Sequence, residues 1–80
     1  MILKPVTSEK AVKMIDLDNT LIFEVERREK KDKIKAEVES VFKVKVEKVR
    51  TFIRNNKKFA YVKLIKDNPA IDIATKVGMI

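Results

Sequence analysis

Three groups of residues in this sequence have the types and spacing to do chemistry. Asp16, Asp18 and Thr20 follow the apolar Ile15 at two-residue intervals, an arrangement in which one carboxylate attacks a phosphoryl group and a second moves the proton. Phe59 and Tyr61 are also two apart, so on a β-strand they share one face, where aromatic rings stack on unpaired bases. The third group is charge. Lys43, Lys45, Lys48, Arg50, Arg54, Lys57, Lys58, Lys63 and Lys66 crowd residues 43–66 against the single acid Glu47, a footprint suited to neutralising phosphates.

Each group needs a scaffold, and 80 residues allow one small domain, since domains rarely form below about 50 residues. The Asp16–Thr20 text resembles the first motif of the haloacid dehalogenase phosphatases. That chemistry also requires a distant lysine, a downstream acidic pair for magnesium and a doubly wound sheet to hold them. This chain has no room for such a sheet, so the segment reads instead as a polar turn leading into a strand. Without cysteine or histidine, disulfides, thiolate zinc sites and histidine-dependent triads are excluded. No enzyme activity and no cofactor are expected.

The formal net charge is +7, with 45% of residues hydrophobic. This is too apolar for a disordered basic tail and basic enough to favour a polyanionic partner. No apolar run approaches the roughly 18 residues of a membrane span, so no membrane insertion and a cytoplasmic location are expected.

Periodicity supplies the elements. A hydroxyl cap at Thr7 or Ser8 opens a helix through about Ile15, with Ala11, Val12 and Ile15 inward. Residues 20–26 alternate as a strand with Leu21, Phe23 and Val25 on one face. Ile34, Val38, Val41 and Phe42 form the stripe of a second helix from Lys31 to Phe42, with Lys35 and Glu39 outward. From Val44 to Ile53 the apolar phase slips near Glu47 or Lys48, which predicts a β-bulge. Asn55 and Asn56 suit a hairpin turn, and Phe59–Ile65 is a central strand. Asn68 and Pro69 open a last helix that Gly78 stops. These elements predict an α+β, ferredoxin-like fold spanning residues 1–80 as a single domain. Its sheet has three antiparallel strands, the third between the first two, with the helices packed on one face.

The charge is unevenly spread. Residues 1–26 carry −2 and residues 43–66 carry +8, so the hairpin with Arg54, Asn55, Asn56, Lys57 and Lys58 at its tip is the expected phosphate-binding surface. Arg27, Arg28, Lys30 and Lys31 enter the second helix, where cations oppose the helix dipole and suit an anion instead. Lys4, Lys35 and Lys63 complete the basic candidates for RNA contact.

Taken together, the chain resembles the family of universal large-subunit ribosomal protein twenty-three in its compact archaeal form. The resemblance rests on the opening Pro5–Ala11, on Asn19-Thr20, on Ile34-Lys35, Val38-Glu39 and Phe42, on Val44–Val46 and Val49–Thr51, and on Ala60–Leu64. It implies a ribosome-bound protein that binds large-subunit ribosomal RNA beside the peptide exit tunnel. Neighbouring ribosomal proteins adjoin it, and it helps to dock the signal recognition particle or other nascent-chain factors. By matching position, Thr7, Ser8 and Lys10, with Arg50, Thr51, Arg54, Lys57 and Lys58, lie on RNA. Glu9 is the candidate for factor docking, on a more acidic N-terminal side expected to lie opposite the hairpin. Bacterial members extend the hairpin into the tunnel. Only Asn55-Asn56 and neighbouring residues join the strands here, so no tunnel role is expected. Lys30 stands where the family has a threonine cap, a loss of about 1 kcal/mol, and Phe59 replaces a commonly basic residue. Two other readings compete. Lys57–Leu64 partly matches the third-strand signature of RNA recognition motifs, with Phe59 and Tyr61 as a single-strand RNA platform; alternatively, the basic face meets an acidic protein.

Overall fold

The computed structural model describes residues 3–77. Its elements run β1 (Lys4–Pro5), α1 (Glu9–Asp18), β2 (Thr20–Val25), α2 (Lys31–Phe42), β3 (Val46–Arg54), β4 (Lys57–Leu64) and α3 (Ala70–Lys76). The sheet order is β1-β2-β4-β3, antiparallel throughout. The α+β class and the central place of β4 follow the sequence reading. The three-stranded sheet does not, because Lys4 and Pro5 pair with Glu24 and Phe23 to make a fourth strand. Two residues are too few to show the alternation by which a strand is recognised.

The pleat sorts the sheet residues into two layers. Leu21, Phe23, Val25, Ala60, Val62, Leu64, Val46 and Val49 join Ile15, Ile34, Val38, Ile73 and Ala74 in one core. Phe23 stacks on Phe42 of α2, with centroids 6.0 Å apart. The other layer places Ile22 opposite Tyr61, Tyr61 opposite Arg50, and Phe59 opposite Phe52. No helix of the core layer covers these residues, yet Ile22 is buried. Part of the reason is α1. It sends Ile15 into the core, whereas Met14 and Lys10 line hollows that Tyr61 shares on the opposite layer. The helices therefore do not all pack on one face alone.

The bulge falls where the phase slips. Val46 pairs with Leu64 and Lys48 with Lys63, leaving Glu47 as the extra residue. Were Glu47 paired in regular register, Arg50, Phe52 and Arg54 would point into the core, because a one-residue slip exchanges the two faces of a strand. The hairpin turn is equally regular. Asn55 and Asn56 both have positive φ, 52° and 63°, as a two-residue turn matched to strand twist requires.

Several local expectations are corrected. The first helix continues to Asp18, so Asp16 and Asp18 lie in its last turn and not in a turn or strand-end loop. Ser8 does cap it, accepting from Ala11 N at 3.2 Å. Val12 is only half-buried, and Val41 is 56% exposed. Glu39 points inward to accept from Val46 N at 2.9 Å, taking up an amide where β3 begins. Lys30 occupies the cap position of α2 without a side-chain bond, and Lys43 ends that helix in the left-handed region. Asn68 does not cap α3; its Oδ1 accepts from Lys45 N at 2.8 Å. The Gly78 stop lies outside the described residues.

Asn19 takes the capping role and more. Its φ of 49° and ψ of 39° close α1 in the left-handed region, with its own N–H donating to Met14 O. Its Nδ2 donates to the carbonyls of Leu64, Ile65 and Asn68 at 3.1–3.2 Å. Its Oδ1 accepts from Ala70 N at 2.6 Å. Asn19→Ala is expected to lower stability by about 2–3 kcal/mol in urea titration, because several partners lose their bonds together. Asn19→Gly should recover about 1 kcal/mol of that loss, since glycine enters the left-handed region without steric cost. Equal losses for the two variants would show that the backbone conformation contributes nothing separable.

Candidate nucleic-acid interface

Basic side chains become a binding surface only if they share a face and are not already neutralised. β3 and β4 decide the first condition. On the layer away from the core they align Lys48 with Lys63, Arg50 with Tyr61, Phe52 with Phe59, and Arg54 with Lys57. Thr51 lies opposite Ala60 on the core side, half-buried, so it shares no face with Arg50. Asn55 and Asn56 are exposed at the tip.

Two groups of candidates meet in space. Lys4, Arg27, Asn56, Lys57 and Lys58 surround an open hollow of about 350 Å³ at the hairpin end of the sheet, with Glu24 and Glu26 also on its wall. Ser8 and Lys10 of the opening segment line a second hollow, of about 170 Å³, with Arg54 of the hairpin. The N-terminal segment thus adjoins the hairpin on one face and does not lie opposite it. Thr7 is exposed beside Ser8. Arg28, Lys30, Lys31 and Lys35 are exposed in the β2–α2 turn and along α2, outside both hollows. Glu9 is exposed at the start of α1, 3.5 Å from Lys13.

Internal pairing separates the cations further. Lys63 lies 3.3 Å from Asp18 and 3.7 Å from Glu47, so two carboxylates already balance it. Lys58 donates its ammonium to the carbonyl of Glu29, which ties the hairpin to the turn before α2. By contrast, Lys10, Lys48, Arg50, Arg54 and Lys57 form no ion pair among the described residues. These five are the cations of this face that stand outside any ion pair.

Phe52 is the residue that sequence reading missed. It is 38% exposed, stacks on Phe59 with centroids 5.2 Å apart and meets Tyr61 edge-on at 5.1 Å. The signal was the bulge, which puts Phe52 out of phase with Val49 and Thr51 and so on the face of Phe59 and Tyr61.

The Asp16–Thr20 segment spans the end of α1 and the start of β2. Asp16 is exposed on α1, while Asp18 is engaged by Lys63 and by the Thr20 hydroxyl, which donates to its Oδ2 at 3.2 Å. Among the described residues no three acidic, histidine or cysteine side chains are grouped to hold a metal. No helix described is long and apolar enough to cross a membrane.

Together these features define a small basic α+β domain with one sheet face open and cationic. Residues 1–71 match the family described as Ribosomal protein L23. The chain is also 43% identical over its full length to the large ribosomal subunit protein uL23 of the yeast Cyberlindnera jadinii, spanning 57% of that relative. The chain belongs to the ribosomal protein L23 family.

Lys63, by hydrogen bond and charge, holds the Asp18 carboxyl below the usual carboxylate range, with Thr20 and the charge of Arg50 acting the same way against desolvation. A carboxylate depressed in the folded state stabilises above its unfolded pKa and ceases to as pH falls through the folded value. Wild type should therefore melt above Asp18→Asn near neutral pH, with the gap closing as pH drops below about 4. A gap that persists unchanged near pH 2 would mean that the pair does not control it.

Proposed function

We propose that this chain is a structural constituent of the large ribosomal subunit that binds large-subunit ribosomal RNA beside the peptide exit tunnel. The observation that carries the reading is the row of unneutralised cations Lys48, Arg50, Arg54 and Lys57 on one sheet face, in a chain of the L23 family. The function is electrostatic and mechanical. The hairpin cations neutralise phosphates and release counterions, Asn55 and Asn56 offer amides at the tip, and RNA shape sets most of the fit. Lys4, Arg27 and Lys57 extend the contact around the hairpin end, and Ser8 and Lys10 continue it along α1. Arg28, Lys30, Lys31 and Lys35 serve a separate stretch of backbone on the α2 side. Lys58 and Lys63 act mainly inside the protein.

The family reading extends to neighbouring ribosomal proteins and to a ribosome-bound, cytoplasmic place. Within it, exposed Glu9 contributes to docking of the signal recognition particle or other nascent-chain factors. The two-residue hairpin tip supports the compact archaeal-type form, because no long extension leaves the sheet there.

Two measurements test this. In sucrose gradients of native extract at low and high magnesium, the protein should travel with the large subunit; recovery only near the top of both gradients would overturn the assignment. With a large-subunit RNA fragment, replacing Arg50, Arg54 and Lys57 together by Ala should reduce the slope of log affinity against log salt by about 2–3, as expected for three phosphate contacts. An unchanged slope would place the RNA interface elsewhere on the molecule.

A further inference from the structure

The open sheet face is more than a charged surface, because its middle is apolar. Phe52, Phe59 and Tyr61 form a contiguous aromatic cluster. Beside them Ile22 floors the hollow of about 170 Å³, and Lys10 and Arg54 stand on its wall. Sites for drug-sized ligands run from roughly 300 to 1,000 Å³, so this hollow suits a single flat ring system. Rings stacked within the protein still present outer faces, and the partial exposure of Phe52 leaves ring surface in reach of solvent.

We propose that this hollow is a binding site for an unpaired nucleobase of RNA. The base stacks against the Phe52–Phe59–Tyr61 cluster while Lys10 and Arg54 hold the phosphates that flank it. The inference rests on the RNA-binding reading above and specifies a mode of contact that phosphate neutralisation does not require. Charge selects this occupant over an uncharged apolar partner. Lys10, Arg50 and Arg54 surround the aromatics without an ion-paired acid among the described residues, and a nucleotide offers a π-face and an anion within one residue's reach. Aromatic platforms edged by cations bind single strands in this way with little sequence preference, because every base has a π-face. A-form duplex RNA buries its base faces in the stack and has nothing to insert.

The chain carries its own probe. Tyr61 is its sole tyrosine and it has no tryptophan, so emission excited in the tyrosine band reports from this hollow. Single-stranded decamers of U and of A, titrated into the full chain, should quench Tyr61 saturably. A duplex of equal charge should bind without comparable quenching. Phe52→Ala should weaken single-strand binding by about 5- to 100-fold while leaving duplex affinity within about twofold, the range expected for loss of stacking on one base. Phe52→Leu retains apolar bulk without the ring and guards against a folding artefact. With an unchanged circular dichroism spectrum, it should lose affinity like Ala.

Equal quenching by single strand and duplex, or a Phe52→Leu variant that binds single strands as wild type does, would overturn the inference. So would saturable quenching by an acidic peptide with none by RNA, which would give the face to a protein. If the decamers fail to quench while a large-subunit RNA fragment still binds with a steep salt dependence, the base site falls and the ribosomal RNA reading stands. If that fragment also fails to bind, both fall.

Discussion

A single asparagine side chain joins the parts of this domain that sequence keeps far apart. Asn19 ends α1, begins the entry to β2, and holds three carbonyls around the end of β4 together with the first amide of α3. Its own carbonyl also accepts from Leu64 N. A carboxamide suits this task because it offers donor and acceptor on one short rigid arm and tolerates the left-handed backbone. Aspartate would set a carboxylate against three carbonyl oxygens, and glutamine would move the amide outward by a methylene. This one group holds the first amide of α3, the helix that places Ile73 and Ala74 in the core.

Electrostatics divides the lysines and arginines into two populations with different duties. Lys63 and Lys58 stitch the sheet to α1 and to the β2–α2 turn, while Lys33 pairs with the nearly buried Glu29. These cations consume acid or carbonyl partners within the fold. The remainder, on β3 and the hairpin, are left without acids because β3 contains only Glu47, and the bulge takes that residue out of the pairing register. Exposed ion pairs add little stability in any case. The sheet loses little by leaving one face positively charged.

Much of this was legible before any coordinates. Long-period features survive without structural help: the α2 stripe, the alternation of β2 and β4, and the phase slip that marks the bulge all arise from burial of one face. The turn at Asn55-Asn56 was legible because few residues take positive φ cheaply. Features made by single contacts were not. Glu39 turns inward to an amide of β3, Asn68 serves Lys45 and not α3, and Lys43 adopts a left-handed conformation usually left to glycine or asparagine. For the candidate surface, composition pointed to the hairpin but could not separate Lys63 and Lys58 from their unpaired neighbours. That distinction depends on Asp18 and on the carbonyl of Glu29, which only the tertiary fold brings near.

The two-asparagine turn has a further consequence. It lies beyond the last paired residues, Arg54 and Lys57, outside the core and away from the register-setting bulge. Chain added at that point would extend outward from the sheet while every existing pair kept its partner, and closing a longer loop costs only about 0.6 kcal/mol per doubling of its length. How far the molecule reaches is therefore separable from how well it folds. Evolution or an engineer can lengthen the tip, graft a segment onto it or trim it without redesigning the body that carries it.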